Sequence, residues 1–188
     1  FVQPGMDWLD LFIGSDGTLG IFVNICLKLL PRPDTFLSAV LFFEKEKYCW
    51  DLVSKIKSTT FVSPCSLEYF DRFSLELLRE KYPNIPLQAE AALFFEEDVA
   101  DQNDYDAALL VWVEFLTDKN ILMDESWFAH DQKDVQAFHE FRHQIPMLVN
   151  EKNSRAGREK IGTDMAVPDK YFDDMMTFYN KTLFGKGL

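Results

Sequence analysis

The strongest constraint on the fold of this chain is an alternation of segment types that begins after the tripeptide Pro31-Arg32-Pro33. Proline cannot donate to a β ladder, so the tripeptide closes the apolar, β-branched run 19–30, which reads as a strand, and marks a boundary. Beyond it, Thr35–Phe43 is a strand candidate, and residues 45–58 place Tyr48, Cys49, Leu52, Val53 and Ile56 on one helical face. Residues 66–73 form a shorter strand-like run, 74–82 a helical turn ending before Pro83 and Pro86, and 87–96 another strand. Residues 103–118 return Ala108, Leu109, Trp112 and Leu116 at helical spacing, with Asn103 or Asp104 as the cap. A strand over 121–128, a capped helix over 131–145, a strand over 160–167 and a helix over 169–183 complete the series. The last helix carries Phe172, Met175, Met176 and Tyr179 inward. Two βαβ halves follow, and their simplest closure is an α+β fold: a split βαβ, ferredoxin-like antiparallel sheet with helices on one face. Residues 1–33 stand outside this repeat and read as an arm from another domain, with 34–188 as the second domain.

The arm holds a second informative stretch, Asp10-Leu-Phe-Ile-Gly-Ser-Asp-Gly-Thr-Leu-Gly-Ile21, with three glycines between apolar runs. Glycine tolerates positive φ and has no Cβ to hold a ligand away, so such a turn can aim several amides at one acceptor. It is neither a P-loop, since no lysine follows, nor a Gly-x-Gly-x-x-Gly fingerprint. A plain tight turn feeding a strand is the competing reading. The net charge of −12 and pI of about 4.6 repel phosphate backbones and anionic membranes, which excludes nucleic-acid binding by charge. An anionic substrate would need a locally placed Arg or Lys. Cys26, Cys49 and Cys65 lack Cys-x-x-Cys spacing, so the chain suggests neither a zinc site nor a disulfide framework and fits a reducing, cytoplasmic setting. No run reaches the roughly 18 apolar residues of a membrane span. The first residue is Phe1 rather than Met, which hints at a fragment. The acidic run from Glu96 to Asp106 reads as a solvated loop and helix start, without the pattern of a calcium loop. His139 and His143 share a helical face but have no third ligand at useful spacing.

Three stretches in order resemble the FAD-linked D-lactate dehydrogenase and glycolate oxidase family of vanillyl-alcohol-oxidase-type flavoproteins. Residues 10–21 with Leu27-Lys-Leu-Leu-Pro31 are similar to the family's D-L-F-x-G-S-E-G-T-L-G-I and L-K-L-x-P. Phe138-His-Glu-Phe-Arg-His-Gln-Ile-Pro146 resembles its Leu-Trp-x-x-Arg-Glu cap segment, and Gly162-Thr-Asp-Met-Ala-Val-Pro168 its T-D-V-A-V-P. The first motif is the specific one. Departures are Asp16 for the usual Glu, Val23-Asn-Ile-Cys26 for Ile-Thr-Glu-Ala, and His139 and His143 for the Trp and Glu that flank the cap arginine.

The resemblance implies the end of an FAD-binding domain followed by a substrate-covering cap, incomplete at its C-terminus and cut from a longer 2-hydroxy-acid oxidoreductase. FAD would be seated by Gly14, Ser15, Asp16, Gly17, Thr18, Leu19, Gly20 and Ile21. Arg142 would clamp the substrate carboxylate, because a guanidinium offers a planar two-pronged fork, and Thr163 and Asp164 would lie near it. An ordinary surface arginine with an acidic neighbour is the competing reading of Arg142. No catalytic residue falls within the chain, since the family's histidine motif lies downstream, so the piece alone should not turn over. Implied partners are a small 2-hydroxy acid and an electron acceptor left open, with a homo-oligomer or a membrane-peripheral location compatible with the family. A non-catalytic ferredoxin-like assembly module is the competing hypothesis of a different class.

Overall fold

The computed structural model divides at the proline boundary into two compact units, Phe1–Arg32 and Pro33–Leu188. It describes residues 4–31, 33–160, 162 and 166–185, without the side chains of 102, 103 and 183–185.

In the first unit the short helix α1 (Trp8–Phe12) is started by a capping box. The Asp7 carboxylate accepts from the Leu9 and Asp10 amides while Asp10 accepts from the Asp7 amide, so donors orphaned at a helix start are satisfied. Residues 19–30 do not form the expected strand. A strand is fixed by ladder partners, and among the described residues of this unit none pairs with that run. Its Ile21, Val23 and Leu30 side chains are accordingly exposed.

The second unit contains β1 (Thr35–Phe43), α2 (Glu46–Ser58), β2 (Ser66–Phe70), α3 (Arg72–Leu78), β3 (Ala91–Val99), α4 (Gln102–Leu116), β4 (Trp127–Phe128), α5 (Gln132–Arg155) and α6 (Phe172–Gly185). The sheet order is β2-β3-β1-β4, and every neighbouring pair is antiparallel. Strands β1 and β2 are therefore parallel to each other, joined through α2 and separated by β3. That is the split βαβ topology expected from the alternation.

Helices cover both faces of this sheet rather than the one face expected. Leu37, Ala39, Leu41 and Phe43 of β1 meet Cys49, Leu52 and Ile56 of α2 and Trp112 and Leu116 of α4. Val40 and Phe42 of the same strand meet Leu75 and Leu78 of α3 and Val135, Phe138 and Phe141 of α5. The cause is readable in the strands themselves: residues 37–43 and 91–96 are buried without interruption. An unbroken apolar run must be covered on both sides, whereas a half-solvated strand alternates.

Several boundaries shift for local reasons. Asp71 ends β2 and caps α3 by accepting from the Ser74 amide, so the second strand stops at Phe70. The third strand begins at Ala91 rather than at 87, because the Pro86 carbonyl accepts from the Ala89 amide in a turn. Residues 121–128 give a 3-10 turn (Met123–Glu125) and only the two-residue β4. Gly162, Ala166 and Val167 lie outside any strand, and most of the rest of that expected strand falls outside the described residues. The helix begun by the Asp131 cap runs on to Arg155 through Pro146, which has no amide hydrogen to give the Arg142 carbonyl.

Candidate functional site

Each unit carries one group of candidate residues. In the first, α1 ends at Phe12 and the chain turns twice. The Ser15 amide donates to the Phe12 carbonyl, and the Thr18 amide and hydroxyl both donate to the Ser15 carbonyl, at 2.9 and 2.6 Å. Gly14, Asp16 and Gly17 have φ of 78°, 47° and 76°, the left-handed region that glycine enters freely and aspartate more readily than most residues. A Cβ placed on Gly14 or Gly17 meets nothing within 4 Å, and one on Gly20 meets only the Phe12 ring at 4.0 Å. The two glycines thus serve the backbone path and leave open space before the turn. Backbone amides around closely spaced left-handed residues form the kind of concavity that receives an anionic or acceptor-rich group. The Ser15 and Thr18 amides and the Thr18 hydroxyl are engaged within the turn, so an acceptor-rich group such as the pyrophosphate or ring edge of a flavin nucleotide would be met by the other amides and the Ser15 hydroxyl, with Leu19 and Ile21 exposed.

In the second unit Arg142 belongs to a polar cluster built where α5 crosses the sheet. Asp131 caps α5 by accepting from the Lys133 and Asp134 amides, and Val135, Phe138 and Phe141 bury the helix's apolar side. His139 and Arg142, one turn apart, then reach Glu96 of β3, whose residue is only 4% exposed. The Ser38 hydroxyl donates to Glu96 Oε1 at 3.1 Å, and His139 Nε2 lies 2.5 Å from the same oxygen. Arg142 Nη2 lies 2.6 Å from Glu68 Oε1, and Nη1 lies 3.8 Å from Glu96 Oε2. The guanidinium carbon also stands 5.7 Å from the Phe94 ring centroid, within reach of a cation–π contact. A buried carboxylate survives in an apolar sheet only with such partners, because desolvation otherwise disfavours its charge.

The acidic run that reads as a solvated loop is therefore partly structural. Glu96, Glu97 and Asp98 lie inside β3, and Glu97 Oε2 accepts from the Trp112 indole at 2.9 Å and the Ser63 amide at 3.0 Å. Sequence reasoning missed Ser38, Glu68 and Glu96. A signal was available: the strand period puts Glu96 on the face of Phe94, and the register sets it opposite Ser38. His139, read as a filler of the tryptophan position, is a cluster member, whereas His143 is exposed. Thr163 and Asp164 lie outside the described residues. A cleft of about 450 Å³ beside β4, lined by Tyr82, Trp127, His130, Asp134, Phe138 and Phe141 among others, contains none of the sequence-derived site residues. Among the described residues, no helix is long and apolar enough to cross a membrane.

Arg142 is already met by the Glu68 and Glu96 carboxylates, as the competing reading of an arginine with acidic neighbours expects, so an external anion would have to displace one of them. Known proteins resemble this chain as follows. The glycolate oxidase subunit GlcD of Bacillus subtilis is 36% identical over 96 residues, 50% of this chain and 20% of that protein. The D-2-hydroxyglutarate–pyruvate transhydrogenase DLD3 of Saccharomyces cerevisiae is 26% identical over 174 residues, 90% of this chain and 34% of that protein. GlcD of Escherichia coli K12 is 32% identical over 97 residues, 51% of this chain and 19% of that protein. The chain thus spans about a fifth to a third of the length of the curated relatives it matches. No family model matches it.

Proposed function

We propose that the chain is a member of the FAD-linked oxidase family and part of an FAD-dependent oxidoreductase acting on a small 2-hydroxy acid of the D-lactate or glycolate type, a reading supported by the relatives it resembles. The observation that carries the reading is the match to relatives whose names describe oxidation or transhydrogenation of 2-hydroxy acids. In this reading residues 1–33 are the end of the FAD-binding domain and 34–188 the cap domain. The chemistry a bound flavin supplies is acceptance of a hydride from the substrate's α-carbon.

What this chain's own residues contribute is binding and orientation. The turn over Gly14 to Ile21 offers FAD those backbone amides not already engaged inside it, with the Ser15 hydroxyl as a donor, while the Thr18 hydroxyl braces the turn through the Ser15 carbonyl. Arg142 takes the substrate carboxylate on its fork and so fixes which face of the α-carbon is presented. Glu96 and Ser38 hold that helix face in place from the sheet side. Thr163 and Asp164 are further substrate-binding candidates. The partner is then a small hydroxy acid, with assembly of the whole protein into an oligomer compatible with relatives named as subunits.

The test is the visible spectrum of the full-length protein after FAD reconstitution, followed by anaerobic addition of D-lactate or glycolate. Flavin absorbance that bleaches with one of them is expected. Absence of flavin absorbance refutes the reading. Gly17→Ala probes the cradle separately, since no protein atom opposes its new methyl group. It should weaken FAD retention beyond the roughly 1–2 kcal/mol that a left-handed backbone imposes on alanine.

A further inference from the structure

Arg142 faces two carboxylates that differ in every physical respect. Glu96 has a side chain only 6% exposed and is tied down by the Ser38 hydroxyl and His139. Glu68 has a side chain 37% exposed and sits on β2, opposite Phe94 of β3. Among the described residues, Arg142 is the only charged group paired with it. The tight contact, however, is with Glu68 at 2.6 Å, and the buried Glu96 stands off at 3.8 Å. The prong a substrate carboxylate would need is thus filled by the more exposed of the two acids.

We infer that Glu68 is a specificity-determining placeholder: an internal carboxylate that occupies the Arg142 fork and must swing into solvent when a substrate carboxylate binds. This rests on the assignment of Arg142 to the substrate. Three anions cannot share one guanidinium cheaply, and Glu96 cannot leave because it is buried and held from two further sides. Glu68 can leave, since a partly exposed ion pair contributes little and its free carboxylate regains hydration. The exchange replaces one carboxylate by another at the same nitrogen, so a ligand without a carboxylate has nothing to offer in return. Discrimination against neutral hydroxy compounds follows from the competitor rather than from Arg142 alone. Glu68 is a positioning residue in this scheme and takes no part in hydride transfer.

The experiment uses the full-length flavoprotein with D-lactate or glycolate, whichever reduces it, and oxalate as an unreactive carboxylate. Glu68→Gln should lower KM and the oxalate inhibition constant about three- to fivefold with kcat unchanged, the size expected for removing a partly exposed competitor. Glu68→Asp, which keeps the charge on a shorter arm, should fall between the two and decides the matter where the glutamine variant misfolds. A KM that is unchanged or raised in the Glu68 variants, with Arg142→Ala still raising KM, overturns the placeholder and leaves the role of Arg142 standing. An unchanged KM in Arg142→Ala removes Arg142 from the substrate site and overturns both.

Discussion

Phe141 ties the helix that carries Arg142 to the sheet, and its removal has a calculable cost. The residue is 1% exposed, and its ring lies 5.1 Å from Tyr82, 5.3 Å from Phe70 and 5.4 Å from Trp127, centroid to centroid. Deleting a buried phenyl ring costs about 3–5 kcal/mol in transfer and cavity terms. Each edge-on or tilted aromatic pair adds about 0.5–1.5 kcal/mol beyond area. These contributions overlap, so Phe141→Ala belongs in the upper part of the first range, about 4–5 kcal/mol. With a urea slope of about 2 kcal/mol/M for a chain of this size, the midpoint should fall by about 2 M. Urea titration followed by far-UV circular dichroism and by tryptophan emission reads both the helices and the neighbourhood of Trp127. Phe141→Leu, which keeps most of the volume, should lose under about 1.5 kcal/mol. Phe61→Ala, at a position 78% exposed, should stay within about 0.5 kcal/mol of the parent. A Phe141→Ala midpoint shift below about 1 M, equivalent to about 2 kcal/mol, refutes the claim that this ring anchors α5.

Other outcomes follow from individual contacts. Arg79 Nη2 donates to the carbonyls of Pro86 and Ala89 at 2.6 and 2.9 Å, so Arg79→Ala should cost about 1.5–3 kcal/mol and expose residues 83–90 to limited proteolysis. Burial, followed by the carboxylate of Asp98, pushes the Cys65 thiol up to about 12. In native protein at pH 8, iodoacetamide should therefore label Cys65 far more slowly than a model thiol, and equal rates would contradict the shift. Lys47 is raised above the ordinary lysine value of 10.5, chiefly by its hydrogen bonds to Asp173 and Asp51. Its stabilising effect is complete below that value and is lost as pH climbs through the higher folded-state value. The Tm difference between parent and Lys47→Gln should be small, because both partners are half exposed, and should vanish at the alkaline end.

What could be read in the sequence was whatever local chemistry decides. Thr35–Phe43 matches β1 residue for residue, and the Asp131 cap begins α5 as expected, because a mostly apolar run, broken inside only by Ser38, and a capping carboxylate each act within a few residues. The placement of Glu96 was ambiguous in its neighbours, because the Phe94-Phe95 pair before it suggests a strand and Glu97 and Asp98 after it suggest solvent. It is buried because Ser38, 58 residues away, and His139, 43 residues away, converge on it. Cover on both faces was encoded in the uninterrupted apolar stretches of β1 and β3, but alternation of segments by itself does not count layers. In the first unit the order of glycines foretold a turn of left-handed residues. The run that follows has strand composition without a ladder, since composition supplies a preference and only a partner supplies the hydrogen bonds.

Pro146 gives α5 a mechanical division that bears on Arg142. Its missing amide removes the backbone tie that would fasten the turn at residue 146 to the Arg142 carbonyl, so bending of the helix beyond that turn is poorly transmitted back to the guanidinium. The arginine takes its bearing from the N-terminal stretch, moored by the Asp131 cap, Val135, Phe138 and Phe141. Apart from Leu148, which is buried in the same core as Val135, Phe138 and Phe141, the largely exposed stretch from Met147 to Arg155 can consequently drift in composition while the fork keeps its aim, an arrangement that separates the tolerance of one half of a helix from the exactness of the other.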